Sequence, residues 1–457
     1  MAGLTRRGYN FALLMGDALG PADARGRRLD SWKEIAAYLR RSERTVRRWE
    51  ETEALPVHRL QHDKRGSVFA YEAELEAWRL SRQNVADGDQ RDMAATSGAS
   101  SPFRAKRWRF AAGAAFGTVA LGVLVVTQLP ASPPRTPHPE AVRLVQQGRF
   151  SANAGRTQIE TATRYYREAI SIDPEYSGAW GALAMSHVAL TWFGERRSTD
   201  TLNEARKEAE RARELDASNV FTPLVLGWVS HYLDWDHAAA EQHFRRAIVI
   251  APKRAVAHSW FGDVLTNLRR FDEALREYKA AQDADPRWLE PIALTGNVHG
   301  IRGHYDLAVA ELQRALAIEP GHTLANHFLG RTYLAKGDLH LALEYLRKSN
   351  EAMGQVPFSL ADLGYALAVA GERREAERLL ADLTEKRETG FYPAFPMALI
   401  ELGLGNTDKA LDWLEAAADD RHVGFYMPSC DPLYDSVRSH PRFRAVLTKL
   451  RLPATAW

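Results

Sequence analysis

Six alanines stand at strictly equal intervals along the chain: Ala240, Ala274, Ala308, Ala342, Ala376 and Ala410. Nothing else in the 457-residue chain constrains its fold as tightly, because a period of this length means one supersecondary unit copied along the chain. Four positions after each alanine comes a large side chain: Phe244, Tyr278, Leu312, Leu346, Leu380 and Leu414. Three positions further come Ala247, Ala281, Ala315, Ser349, Leu383 and Ala417. Spacing of i, i+4, i+7 marks one face of a helix. A second series, Gly262, Gly296, Gly330 and Gly364, implies another helix per unit. Gly303, Gly337, Gly371 and Gly405 supply the turns between helices, and Pro252, Pro286 and Pro320 end the units. Two less regular units precede these six. One carries Ala162, Tyr166, Ala169 and Pro174. The other carries Trp180, Leu183, Ala205 and Ala212, with an insertion around residues 192–201.

This pattern resembles the tetratricopeptide repeat. The resemblance implies an α-solenoid of about eight repeats over residues 141–422, in which each helix pair leaves an apolar face for the next. It also implies a groove for a protein or peptide, lined by the first helix of each pair. Projected onto this chain, that face includes Asp263, Asn267, Asn297, His327, Arg331 and Tyr365. Asn297 and Arg331 are suited to a carboxylate or a peptide backbone. Residues 423–457 read as a capping segment over the last repeat, with Leu433, Val437, Phe443 and Leu447 as its core residues.

The formal net charge of +2 hides an asymmetry. Residues 1–109 hold 21 basic and 15 acidic residues, a net of +6, and the remainder carries −4. The sign changes beside the most apolar stretch, Phe110–Leu129, which has no charged residue. As a helix rising about 1.5 Å per residue it would span roughly 30 Å, the depth of a bilayer's hydrocarbon core. Arg104, Lys106, Arg107 and Arg109 flank it on one side, and the Pro-rich run 130–140 on the other. We therefore expect a transmembrane helix over 108–129. Basic residues stay on the cytoplasmic side, which puts the N-terminus in the cytoplasm and the repeats outside a plasma (inner) membrane. Gly113 and Gly117 form a GxxxG that would let two copies pair as a homodimer.

Ahead of the span, residues 1–28 show no consistent period and are expected to be disordered, and the Ala/Ser/Gly-rich stretch 83–107 is expected to be a flexible linker. Between them, Ser31 and Glu34 form a capping box at a helix start. Trp32, Ile35, Ala36 and Leu39 follow at helical spacing. Ser42 caps a second helix that carries Arg44, Arg47 and Arg48. Val57–Leu60 and Ser67–Ala70 then bracket a basic tip with Lys64 and Arg65, the pattern of a β-hairpin, and a short closing helix is expected over 71–80. Residues 29–82 resemble the winged helix-turn-helix domains of the MerR/excisionase class through Glu34-Ile35-Ala36, Thr45-Val46-Arg47-Arg48-Trp49-Glu50 and His62–Phe69. By that resemblance Arg44, Thr45, Arg47 and Arg48 would enter or flank the major groove of double-stranded DNA. Lys64 and Arg65 would grip the phosphates from the wing.

No catalytic or metal-binding motif emerges, and no cofactor or enzymatic activity is expected. The lone Cys430 precludes an internal disulfide framework. The expected fold is mainly α: an N-terminal winged helix-turn-helix, one transmembrane helix and a C-terminal tetratricopeptide solenoid. The leading expectation for function is a single-pass, membrane-embedded transcriptional regulator. The alternative is a membrane-anchored scaffold for protein assembly with no direct transcriptional role.

Overall fold

The computed structural model describes residues 28–29, 31–39, 41–53, 55, 57–60, 67–71, 75, 135–151, 156–194, 196–425 and 428–452. The apolar stretch 110–129, both predicted linkers up to residue 134, Lys64 and Arg65 lie outside them. Among the described residues no helix is long and apolar enough to cross a membrane. The described chain falls into two units, one within residues 28–75 and one over 136–452.

The first unit orders as β1 (Arg28–Leu29), α1 (Trp32–Tyr38), α2 (Glu43–Glu53), β2 (His58–Leu60) and β3 (Ser67–Tyr71). Helix α1 starts where the capping box placed it: the Ser31 hydroxyl accepts the Glu34 N–H at 3.2 Å. The Ser42 hydroxyl accepts the Thr45 N–H at 3.2 Å and so begins α2. Strands β2 and β3 pair antiparallel, His58 opposite Phe69 and Leu60 opposite Ser67. Two details differ from the sequence expectation. Arg28, expected to lie in a disordered terminus, pairs with Tyr71 across β1 and β3, in a sheet of order β1-β3-β2. Tyr71, expected to open the closing helix, is the last residue of β3. Leu29, Ile35, Ala36, Val46, Leu55, Ala70 and Leu75 form the small core that these elements share.

The second unit holds eight consecutive helix pairs among the described residues. They are α3 (Pro139–Ser151) with α4 (Arg156–Ile172), α5 (Ser177–Leu190) with α6 (Ser198–Leu215), and α7 (Phe221–Val229) with α8 (His237–Ile250). Next come α9 (Ala255–Asn267) with α10 (Phe271–Ala284), α11 (Glu290–Ile301) with α12 (Tyr305–Ile318), and α13 (Thr323–Lys336) with α14 (Leu339–Met353). The last pairs are α15 (Pro357–Val369) with α16 (Arg373–Thr389) and α17 (Phe395–Gly403) with α18 (Thr407–Asp420). The alanines of the periodic series are fully buried, as small residues at a close helix–helix contact must be. The insertion after α5 is a single 3-10 turn, Thr191–Phe193. Trp192 packs its ring 6.0 Å from Trp228 and 5.8 Å from Phe358, so this early repeat touches α15 directly.

Each described turn between paired helices holds one residue with positive φ, a conformation that costs a side chain about 1–2 kcal/mol and glycine almost nothing. Gly303, Gly337, Gly371 and Gly405 occupy it, with φ of 76°, 82°, 84° and 81°. Counting back by the same period, the slot falls on Arg269 and Trp235, and both adopt positive φ, 59° and 54°. Two successive repeats thus place a side chain where the later ones use glycine.

Candidate functional site

The first helix of each pair contributes to one face, and in this structure the face is occupied by the chain itself. Residues 428–433 lie against α9, α11 and α13, at the start of a 3-10 turn (Pro432–Val437) that is followed by α19 (Pro441–Lys449). Helix α19 packs on α18, as a cap would, and the 3-10 turn packs on α17. Residues 428–431 reach further. The Ser429 hydroxyl donates to the Asn267 carbonyl at 2.9 Å, and Arg269 donates to the Ser429 carbonyl at 3.1 Å. Arg331 meets the Asp431 carboxylate at 2.7 Å. Arg438 folds back to donate to the carbonyls of Ser429 (2.6 Å) and Asp431 (2.7 Å), which fixes the backbone of this strap. Ser429, Cys430 and Asp431 are buried as a result. Burial, and then the neighbouring Asp431, push the Cys430 thiol up to about 12, so it is not a reactive thiolate.

The departures from the glycine series now have a role. Arg269 in the first such slot grips the strap through Ser429. Trp235 in the other lies under the Arg421 guanidinium, 4.1 Å from its ring centroid. Arg421 also donates to the Leu233 carbonyl. Local strain held by contacts elsewhere in the fold is a mark of a position selected for its side chain.

Most of the sequence-predicted groove residues gather around this strap, but they are engaged rather than open. Asn267 is 1% exposed, with its Nδ2 at 2.9 Å from His231 Nε2. Asn297 is buried beside Arg331, Asp431 and Leu433, around a cavity of about 30 Å³. Arg331 bridges Asp431 and Asp362, the latter at 2.9 Å. His327 is fully buried, with Nε2 at 2.9 Å from the same Asp362 oxygen. Burial alone would push the Asp362 carboxyl up. The Arg331 guanidinium and His327 outweigh burial and hold it below the usual carboxylate range. Tyr365 is half-buried, its hydroxyl pushed up by burial and then by Asp431 and Asp435. Asp263 stands apart: its carboxylate accepts from the Tyr278 hydroxyl at 2.8 Å within its own helix pair. Burial raises that carboxyl to about 7.

A model of the tetratricopeptide repeat matches residues 324–352, which cover α13 and most of α14. The second unit has a solenoid fold like that of tetratricopeptide repeats. Among proteins of known role, subunit cut9 of the anaphase-promoting complex of Schizosaccharomyces pombe is 24% identical over 186 residues. That match covers 39% of this chain and 27% of cut9, so the chain spans about a quarter of the relative's length. Two solved structures of similar repeats are PilW, a type IV pilus biogenesis factor, and YrrB, a tetratricopeptide-repeat protein with an unusual peptide-binding site. PilW is 24% identical with a TM-score of 0.37, covering 46% of this chain and 94% of its own. YrrB is 22% identical with a TM-score of 0.29, covering 41% of this chain and 92% of its own.

The sequence expectation for the first-helix face does not include the strap that lies on it. Ser429, Asp431 and Arg438 lie in a segment without periodicity, and their partners stand either in distant repeats or within the same turn. The one available signal was the glycine series itself, whose backward extension lands on Arg269 and Trp235.

In the first unit Arg44, Arg47 and Arg48 are exposed on α2. Arg47 stands 3.7 Å from the Glu43 carboxylate and 5.1 Å over the Trp32 ring. The Thr45 hydroxyl is 2.8 Å from that of Ser42, and so is engaged in the cap.

Proposed function

We propose that the repeat array is a protein-interaction scaffold whose first-helix face takes an extended polypeptide segment. The observation that carries this reading is the strap: a stretch of irregular chain seated on that face through backbone carbonyls and one buried carboxylate. A partner segment of similar chemistry would find the same Asn267 carbonyl and the same Arg331. The test is site-specific photo-crosslinking in intact cells, with p-benzoyl-phenylalanine at Tyr365 on this face or at the exposed Val249. A discrete partner captured from position 365 and not from 249 is the expected result. Identical products from both positions, or none from 365, would overturn the reading.

A second reading, for the first unit, is favoured by the exposed arginines of α2 after a capped turn, next to paired antiparallel strands. It is a DNA-binding head of winged helix-turn-helix type, tethered through a membrane span at 110–129 with the head in the cytoplasm. The whole chain would then be a membrane-embedded regulator whose scaffold receives the signal. We expect the full chain to bind a labelled DNA duplex with an affinity that falls steeply with salt. Arg44→Ala and Arg48→Ala should each flatten the log–log salt slope by about 1. Arg47→Ala should cost less than Arg44→Ala, because Glu43 and Trp32 already hold the Arg47 side chain. Fluorescence anisotropy across a salt series measures this, and unchanged slopes in the Arg44 and Arg48 variants would remove DNA from the function.

A further inference from the structure

The strap is tied down at its far end by a chain of hydrogen bonds through two histidines. The Leu450 carbonyl, which can only accept, lies 3.1 Å from His237 Nε2. His237 Nδ1 lies 3.0 Å from His231 Nδ1, and His231 Nε2 lies 2.9 Å from Asn267 Nδ2. One assignment satisfies every link with neutral rings. His237 carries its proton on Nε2 and donates to Leu450. His231 carries its proton on Nδ1 and donates to His237. Asn267 donates to His231 Nε2. A second proton on either ring sets one N–H against another.

His231 sits on a π-turn, Ser230–Asp234, that interrupts the repeat geometry just before Trp235. Such turns place side chains that a regular helix would not. A third histidine, His422, is buried just ahead of the strap, where its Nδ1 accepts the Gly424 N–H at 2.9 Å. All three line one cavity with Trp235, Arg421 and Leu450.

We propose that residues 428–452 form a proton-released strap, its 428–431 stretch held over the first-helix face while His231, His237 and His422 are neutral, and freed when these rings take up protons. The anionic groups nearby are already committed. Asp234 is paired with Arg206 at 2.7 Å; Asp236 caps α8 through the Ala239 N–H at 2.9 Å and still favours a charge on His237, but burial outweighs it. Asp263 is bonded to Tyr278, Asp419 is paired with Lys449, and Asp420 with Arg387. From the C-terminal side the rings face Arg421 and Arg451, which oppose a further positive charge. Burial holds His231 well below its ordinary value, lowers His237, and pushes His422 down to about 3.

The direction follows from linkage. A detached ring titrates near 6.5, whereas an attached ring resists protonation. The strap is therefore fully held above pH 6.5. Its hold weakens by up to tenfold per histidine for each pH unit below that, until the attached value is reached.

Hydrogen exchange read by mass spectrometry on the full chain tests this without any partner. Only the use of the opened face rests on the interaction reading above. Corrected for intrinsic exchange rates, protection of residues 428–452 should fall at least tenfold between pH 7.5 and 5.0. Protection of α11–α14 should hold. His237→Gln should flatten that pH dependence, and His340→Gln, on an exposed histidine, should not. Arg269→Gly restores the array's own turn residue while removing one grip, and should lower strap protection at pH 7.5 with the repeats intact. Unchanged strap protection at pH 5.0, or strap and repeats losing protection together, overturns the proposal. If His237→Gln does not fold, the wild-type pH series and Arg269→Gly still decide.

Discussion

Replacing Arg331 by methionine should destabilise the repeat array by about 3–5 kcal/mol at pH 7.5, the cost of stripping the partner from a buried charge. The guanidinium faces two carboxylates, Asp362 and Asp431, whose side chains are 3% and 6% exposed. Methionine keeps most of the volume and removes the charge, so packing changes little. What remains is two buried carboxylates, Asp362 beside His327 and Asp431 on the strap. The pH dependence identifies the cause. In the native chain Asp362 is held low, so its contribution is present above the ordinary carboxylate value of 3.8 and is lost only as pH falls through the lower folded value. In the variant burial is opposed far less and the carboxyl moves up. Acid then relieves the penalty by protonating Asp362. The deficit relative to wild type should therefore shrink between pH 7.5 and 5.0, measured by urea denaturation at each pH. A deficit equal at both values would assign the loss to packing.

The consequences should not be confined to stability. Arg331 binds both the scaffold and the strap. Its loss should also raise exchange of residues 428–435 at pH 7.5, where the histidines still hold the far end. Separating those two anchors shows whether the strap lifts as one piece or peels from one end.

How much of this was readable in advance depends on whether the interactions are local. Each helix pair was legible because its determinants lie within a single repeat: Ala308, Leu312 and Ala315 recur on one helix face, and Gly303 sets its turn. The capping interactions of Ser31 and Ser42 were legible for the same reason. The face holding Asn267, Asn297, Arg331 and Tyr365 could be located because the period fixes which helix is first in each pair. Its contents could not. Arg331 reads identically whether it awaits a ligand or binds Asp431, since the two residues are separated by several helices and nothing periodic connects them. The His231–His237 pair is invisible for a related reason. Its meaning comes from Leu450, near the other end of the repeat unit, and from a π-turn that no spacing rule anticipates. Where the sequence broke its own rule, at Arg269 and Trp235, the structure placed a long-range contact.

The glycines inside the first helices make the converse point, because there the sequence kept its rule at a local cost. A glycine within a helix gives up about 1 kcal/mol relative to alanine. At Gly330 an added Cβ would lie 2.6 Å from Leu346 Cγ and 3.0 Å from the Leu346 backbone nitrogen. At Gly296 it would lie 2.6 Å from Leu312 Cγ, and at Gly262 2.5 Å from Tyr278 Cε1. In these three repeats the glycine meets the same position on the second helix of its pair. Since a backbone atom is involved at Gly330, a rotamer change in Leu346 does not relieve the contact, and α13 and α14 must move apart. Separation of the pair outweighs the propensity gain, so Gly330→Ala should destabilise by about 1–2 kcal/mol and Gly330→Val by about 3 kcal/mol. Gly321→Ala, where a Cβ meets open space, should change stability by less than about 0.5 kcal/mol. Urea midpoints give these values. Hydrogen exchange should place the loss in α13, α14 and their immediate neighbours, because a solenoid's stability is a sum over adjacent repeats. A loss spread evenly from α3 to α18 would mean that the Trp192–Phe358 contact and the strap have joined the repeats into one cooperative body, in which no repeat can be loosened alone.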